Sequence, residues 1–323
     1  MRAVIVPEPG EADALRVTEL PTPEPAAGEV LVRVAAAGVN RADVLQRRGF
    51  YDPPAGATPV LGLEASGTVA AVGEGVDASW IGREIVALLV GGGYAEYVAV
   101  PAGQVAPVPE GIDLVTAGGV MEAAATVWSN VVMVGRLVAG ETFLVHGGTS
   151  GIGTMAIQVA KALGARVVTT VGSQEKAQVC RDLGADLVVN YREQDFGDAL
   201  KEAGLRPDVI LDIMGASYLD ANVRALATGG RLVVIGLQGG IKGTLDLNRL
   251  LMKRASVTAT SLRARPAQEK SAIVAEIGEH VWPLIASGTV RPVVHARFGL
   301  DDAAEAHRVM EASTHVGKLL LLP

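Results

Sequence analysis

The chain has 323 residues, 49% hydrophobic and 20% charged, with a net charge of −7. That length and apolar content predict two domains with sizeable cores. The acidic balance, basic runs no longer than the pair Arg47 and Arg48, and 4% aromatics exclude a basic stripe or stacking platform for nucleic acid. The lone Cys180 excludes an internal disulfide and a four-cysteine zinc site, and points to the cytoplasm. The opening "MRAVIVPEPG" is not leader-like, and no run of about eighteen apolar residues would span a membrane.

The first 120 residues read as strands and turns. "GEVLVRVAAAGV" has strand character, and Gly and Pro punctuate densely in "PTPEPAAGE", "YDPPAGATP", "VGEGV" and "GGGY". One short helix is predicted at Arg41 to Arg48. From about Val120 strand-like and helical runs alternate: "TFLVHG", "TMAIQVAKALG", "ARVVTTVG", "SQEKAQVCRDLG", "DLVVNY", "DVILDIMG", "RLVVIGL". The strands are rich in Val and Ile without alternation, as expected where both faces are buried. The pattern predicts an α/β fold, a Rossmann-type doubly wound parallel sheet over 121–262. The tail from Arg263 carries one long helix ("QEKSAIVAEIGEHVWPLIASG"), a strand near Val293, a helix ("DDAAEAHRVMEAS") and a last strand ("GKLLLLP"). It is too small to fold alone, so 263–323 is expected to rejoin 1–120 in a discontinuous, mainly β catalytic domain.

The segment "LVHGGTSGIG" runs an apolar strand into a glycine cluster. Gly151, Gly153 and Ala156 match the GxGxxA dinucleotide fingerprint. On this reading Gly151 makes the tight turn, Gly153 admits a pyrophosphate, and the helix N-terminus offers free amides. A bare strand-to-helix turn is the bland alternative, and the surrounding βαβαβ pattern argues against it. The string resembles the turn of short-chain dehydrogenases too, but none of the tyrosines is followed four residues later by the lysine that family needs. The second strand ends in Gly172 and Ser173 where an NAD site would place a carboxylate on the ribose hydroxyl. Ser173, Lys176 and Tyr191 instead suit a 2′-phosphate, so NADPH is the expected cofactor. Lys176 as a solvated helix residue beside Glu175 is the competing reading.

These residues, with "AAAGVNRADVLQRRGFYDPP", "LGLEASGTV", "NYREQDF" and "ATSLRAR", resemble the zinc-free quinone oxidoreductase branch of the medium-chain dehydrogenases. The closest likeness is to the tumour-suppressor-inducible type, with zeta-crystallin more distant. The resemblance covers essentially the whole chain and implies that the first domain is GroES-like and the protein a homodimer. Zinc relatives carry Cys where this chain has Asn40, and Gly-His-Glu where it has Gly62, Leu63 and Glu64; no metal is therefore expected. Glu64 becomes a structural hydrogen-bonding carboxylate, and the five histidines structural or surface residues. By the resemblance, Asn40 and Thr126 lie near the nicotinamide and its ribose. Ser150, Gly151, Ile152 and Gly153 meet the pyrophosphate, and Gly172, Ser173, Lys176 and Tyr191 surround the 2′-phosphate. Met214, Gly236, Leu237, Gln238, Ser261, Leu262 and Arg263 border the nicotinamide, mainly through backbone, and Gly317 and Lys318 close that pocket. Asn40 as a helix cap and Thr126 as an interior helix threonine are the bland readings.

Without a Lewis acid the acceptor must be easy to reduce, so a quinone or activated enone is expected. The developing oxyanion then needs only hydrogen-bond donors, for which Tyr51 and the Asn40 amide are candidates. Tyr51 as a loop plug is the alternative. Within enzymes the runner-up is a 2-enoyl reductase acting on acyl-CoA or acyl-carrier substrates. From another class it is a redox-silent, crystallin-like or RNA-binding chain, which the charge disfavours.

Overall fold

The computed structural model describes residues 1–323. One compact unit comprises 1–125, 262–288 and 292–323, and the other 126–261 with 289–291. The tail thus returns to the first unit except at Thr289–Arg291. That excursion has a local cause: the Gln158 side chain pairs with the backbone of Arg291 like a strand neighbour, accepting from its N–H at 2.8 Å and donating to its carbonyl at 3.0 Å.

The first unit begins with a β1 (Arg2–Ile5) and β2 (Arg16–Glu19) ribbon. There follow β3 (Glu29–Val39), α1 (Arg41–Arg47), β4 (Glu64–Val72), β5 (Glu84–Leu88), β6 (Tyr97–Pro101), β7 (Val105–Pro107), α2 (Leu114–Ala117) and α3 (Met121–Val127). β3 is the spine: it pairs antiparallel with β4 and β6. Its Val30, Val32 and Val34 alternate into the core while Arg33 points out.

The second unit opens with a π-helix over Trp128–Val134, a segment with no sequence signal for that geometry. It continues through β8 (Thr142–His146), α4 (Gly151–Ala162), β9 (Arg166–Val171), α5 (Gln174–Asp182), β10 (Leu187–Asn190), α6 (Phe196–Glu202), β11 (Val209–Asp212), α7 (Ala216–Ala225), β12 (Arg231–Val234), α8 (Leu247–Lys253) and β13 (Ser256–Ala259). All six strands are parallel, in the order β10-β9-β8-β11-β12-β13. The order reverses at β8, so the crevice beyond its carboxyl end is the switch point where such sheets bind ligands.

The tail holds α9 (Ala267–His280), α10 (Trp282–Ala286), β14 (Val294–Gly299), α11 (Ala303–Ala312) and β15 (Lys318–Leu322). The single long helix expected here is two, parted at Val281. Pro283 stands in the first turn of α10, and its ring removes the amide that would have continued α9. β15 lies between β14, to which it is parallel, and β3, to which it is antiparallel.

Candidate active site

In the first unit the register Leu319↔Val39 sets Lys318 opposite Asn40, at the mouth of α1. Gly317 makes this possible. Its φ is +80°, and a Cβ there would stand 2.1 Å from the Val293 carbonyl oxygen. Lys318 Nζ donates to Asn40 Oδ1 at 2.7 Å and lies 2.5 Å from Glu64 Oε1. Asn40 Nδ2 also reaches Glu64 Oε1 at 3.1 Å, and the Glu122 amide donates to Glu64 Oε2 at 2.9 Å. Glu64 therefore does hold a buried structural bond. Asn40 stands at the cap position of α1, but its side chain serves this cluster. Its backbone N–H is held by Asp43 Oδ2 at 2.8 Å. Burial, then Glu64, pushes the Glu122 carboxyl well above the usual carboxylate range, with Lys318 and Lys270 pulling the other way.

Asp43 ends a buried chain that sequence reasoning did not pick out. Its Oδ1 accepts from the Gly62 amide at 3.1 Å and its Oδ2 from Tyr94 Oη at 3.1 Å. Tyr94 Oη meets His307 Nε2 at 3.2 Å, His307 Nδ1 meets Arg47 Nη1 at 3.3 Å, and Arg47 pairs with Glu311 at 2.7 Å. One proton arrangement satisfies all of these: Arg47 donates to Nδ1, Nε2–H donates to Tyr94, and Tyr94 donates to Asp43. Burial and the Arg47 charge keep His307 neutral, its pKa lowered to about 3. Burial lifts Asp43 to about 6 against the pull of its donors.

Tyr51 follows α1 on a loop, with the Arg263 guanidinium carbon 5.3 Å from its ring centroid. Leu262 is buried, and Arg263 anchors through Nε to the Val90 carbonyl at 2.8 Å.

In the second unit the expected phosphate loop follows β8. The turn itself falls earlier than the fingerprint reading had it. Gly147 carries the positive φ of 75°, whereas Gly151 is already the first residue of α4. Gly153 does need to be bare: a Cβ would lie 2.3 Å from the Gly147 carbonyl oxygen. Ser150 caps the helix, accepting from the Gly153 amide at 2.9 Å and donating to the Gly147 carbonyl at 2.8 Å. The amides of Gly151 and Ile152, in the first turn of α4, have no partner within the helix, the arrangement by which a helix N-terminus can receive an anion.

At the carboxyl end of β9, Ser173 caps α5 by accepting from the Lys176 amide. Tyr191, at the end of β10, lays its hydroxyl over Gly172, where a Cβ would be 2.5 Å away. The same Cβ would lie 3.5 Å from Arg192 Nε. Burial and the neighbouring Arg192 charge lower the Lys176 pKa. Two cations thus stand near Gly172 and Ser173. Arg192 was missed from sequence, although it stands next to Tyr191 in "NYREQDF".

The loops after β11 and β12 are stitched together. Asp212 caps the Met214 and Gly215 amides at 2.8 and 2.9 Å. The Gln238 amide donates to the Ile213 carbonyl at 3.2 Å, and the Gly239 amide to the Met214 carbonyl at 2.7 Å. Gly236 passes against the Ile213 backbone and Leu237 is exposed. Ser261 follows β13. Thr126, at the end of α3, is buried, and its carbonyl accepts from Asn130 Nδ2 at 2.8 Å. Apart from Thr126, every expected cofactor residue of this unit follows the carboxyl end of a parallel strand, where this fold binds dinucleotides.

The fold is of the class that binds dinucleotides at these loops, and comparison with known proteins places the chain in a family. Residues 26–110 match the alcohol dehydrogenase GroES-like domain, and residues 151–277 the zinc-binding dehydrogenase family. The chain is 33% identical over 320 residues to the quinone oxidoreductase of Salmonella typhimurium, covering 97% of each. It is also 32% identical over 316 residues to a mycocerosic acid synthase-like polyketide synthase of Mycobacterium tuberculosis, where it spans 15% of that protein's length. Among solved structures, Escherichia coli quinone oxidoreductase complexed with NADPH superposes with a TM-score of 0.89 at 31% identity over the whole of both chains. An NAD-dependent alcohol dehydrogenase gives 0.88 at 32%, again over the whole of both. The chain belongs to the medium-chain dehydrogenase/reductase superfamily, with quinone oxidoreductases among its relatives.

Zinc, which the family description implies, does not fit the residues present. Asn40 and Leu63 offer a carboxamide and a hydrocarbon, and the Glu64 carboxylate is bound to the Lys318 ammonium. No group of three or more His, Cys, Asp or Glu side chains is placed to hold a metal ion.

Proposed function

We propose that this protein is an NADPH-dependent, metal-independent quinone reductase, of the tumour-suppressor-inducible type, with 1–120 and 263–323 as substrate domain and 121–262 as cofactor domain. The observation that carries this is Lys318 Nζ, held between Asn40 Oδ1 and Glu64 Oε1. A fixed ammonium balances the charge of the carboxylate left from the zinc relatives' motif. With no Lewis acid to polarise a ketone, the acceptor must be electron-poor from the start. The bound cofactor supplies hydride. The protein's residues orient the acceptor and donate hydrogen bonds to the oxygen that gains charge. Tyr51 fills that role; the Asn40 amide, expected to share it, has its two Nδ2 hydrogens spent on the Glu64 carboxylate at 3.1 Å and the Gly38 carbonyl at 3.3 Å, and water delivers the second hydrogen as a proton. Lys176, Arg192, Ser173 and Tyr191 favour the 2′-phosphate of NADPH, and Ser150 to Gly153 take the pyrophosphate. In the second unit Thr126, Met214, Gly236 to Gln238 and Ser261 adjoin the nicotinamide and its ribose; Asn40, Leu262, Arg263, Gly317 and Lys318 of the first unit are assigned to the nicotinamide by the resemblance alone.

The polyketide synthase relative, matched along 97% of this chain, favours a second reading, reduction of 2-enoyl thioesters. Steady-state NADPH oxidation with a chelator present, against ortho-quinones, para-quinones, enones and 2-enoyl-CoA, tests both. Quinones are expected to give the highest kcat/KM; enoyl-CoA outrunning them overturns the first reading in favour of the second.

We infer a homodimer built on the free edge of β13. Its strand is mostly exposed, and beside it Ile241, Leu247, Leu251 and Met252 are 69 to 76% exposed. An unpaired strand edge next to apolar side chains is the surface that a second copy of the same edge covers.

A further inference from the structure

Arg263 is built into the first unit in an unusual way. The residue is only 4% exposed, yet both Nη1 and Nη2 lack any hydrogen-bond partner. These are the only buried charged side-chain atoms in the chain left unsatisfied. The rest of the group is fixed. Nε is spent on the Val90 carbonyl at 2.8 Å, and the guanidinium carbon lies over the Tyr51 ring, 5.3 Å from its centroid. What remains is the Nη1–Nη2 edge of the fork, the edge that grips a planar two-oxygen anion.

The surroundings do not neutralise it. The carboxylates that act on it are Asp43 and Glu122. Asp43 already accepts from the Asn40 and Gly62 amides and from Tyr94. The Glu122 carboxyl is held well above the usual range by burial and Glu64, which favours its neutral form. A second cation, Lys270 on α9, is 3% exposed and repels Arg263. Burying a charge without a partner is costly, so such a group is retained where a ligand completes it. The backbone of Arg263 was expected to border the nicotinamide; its side chain had no role.

We propose that Arg263 receives an oxyanion carried by the acceptor, so that the preferred substrates are quinones or enones bearing a carboxylate or sulfonate near the reducible group. Tyr51 packs against the guanidinium, and Lys270 adds a longer-range attraction. This refines the quinone reductase reading and rests on it for the words quinone and enone. The anion site itself does not. The other source of such an anion is the cofactor's diphosphate, and the test separates the two.

The probe is 2-naphthoate, a carboxylate that cannot be reduced, with 2-naphthamide as its neutral match, titrated calorimetrically into the NADPH-loaded protein. The carboxylate is expected to bind more tightly than the amide. Arg263→Gln should weaken it by about ten- to a hundredfold, the worth of a charge-assisted hydrogen bond, and NADPH by far less, since only the Arg263 backbone is assigned to the cofactor. Arg263→Lys, which keeps the charge but not the fork, should lose less, and serves if the glutamine variant does not fold. In turnover, kcat/KM for 1,2-naphthoquinone-4-sulfonate relative to 1,2-naphthoquinone should fall by the same factor. If the wild type binds acid and amide equally, no variant is needed to overturn the proposal. If NADPH and naphthoate affinities fall together, the guanidinium serves the cofactor and the proposal fails. Naphthoate binding without quinone turnover would sink the quinone reading and leave the anion site standing.

Discussion

Replacing Lys318 by Met tests the cluster on which the metal-free reading rests. The lysine side chain is 7% exposed and its partner Glu64 0%, with 2.5 Å between Nζ and Oε1. At an effective dielectric of about 20 the Coulomb attraction at that distance is roughly 6–7 kcal/mol, most of it offset by desolvation. Removing one partner of a buried pair typically costs about 3–5 kcal/mol, because the other charge is left behind. Glu64 keeps its bonds from Asn40 Nδ2 and the Glu122 amide, which places Lys318→Met toward the lower figure. Urea titration followed by tryptophan fluorescence should show a loss of about 3 kcal/mol with unchanged slope, and calorimetry a fall of roughly 6–12 °C in the transition of this unit. Adding Glu64→Gln removes the orphaned charge, so the double variant should regain more than half of the loss. A single variant within about 1 kcal/mol of wild type, or a double variant no better than the single, would refute the claim that this ion pair organises the site.

Four further outcomes are expected. Lys176→Ala should weaken NADPH about ten- to a hundredfold, with Arg192→Ala acting in the same direction and NADH barely affected; equal losses for both cofactors, measured by fluorescence titration, would assign these cations to the surface. Tyr51→Phe should lower kcat and kcat/KM together by about tenfold, more for weak acceptors than for strong ones, and an unchanged rate across an acceptor series would leave Tyr51 a packing residue. His307, lowered to about 3 by burial and Arg47, contributes stability that is present above its unfolded value near 6.5 and is lost as pH falls, by about 2 kcal/mol at pH 5; Asp43, lifted to about 6, offsets part of this because it gains as pH falls from 6 toward 4. His307→Gln preserves donor and acceptor but cannot charge, so its urea midpoint should hold up better than wild type between pH 6.5 and 5, and a parallel acid limb would rule the histidine out as its source. If the proposed dimer forms, wild type should run as a dimer and Leu251→Asp as a monomer in analytical ultracentrifugation; a wild type that is already monomeric removes the inferred interface.

The parallel sheet and the glycine-rich strand-to-helix turn were legible from sequence because each depends on neighbours along the chain. Strands buried on both faces read as Val and Ile runs, and the loops at their carboxyl ends follow each run directly. Even there the local reading erred by a few residues. The fingerprint spacing put the tight turn at Gly151, whereas the positive φ belongs to Gly147, since spacing records which glycines are present and not which one turns. The break at Val281 was signalled by Pro283 but hidden by the apolar periodicity on either side.

Tertiary structure decided what distant segments do to one another. Lys318 meets Asn40 across 278 positions of sequence, Arg47 meets His307 across 260, and Arg263 meets Val90 across 173. No periodicity encodes those partners. The first follows from β15 pairing with β3 in one register, where a slip of one residue would turn Lys318 away from Glu64. Burial is likewise a property of the packed molecule. It makes Glu122 and Asp43 hard to ionise, keeps His307 neutral, and leaves the Arg263 fork without a partner. The residue types were visible in the sequence; which of them lost water, and what they faced when they did, depended on the whole chain closing around them.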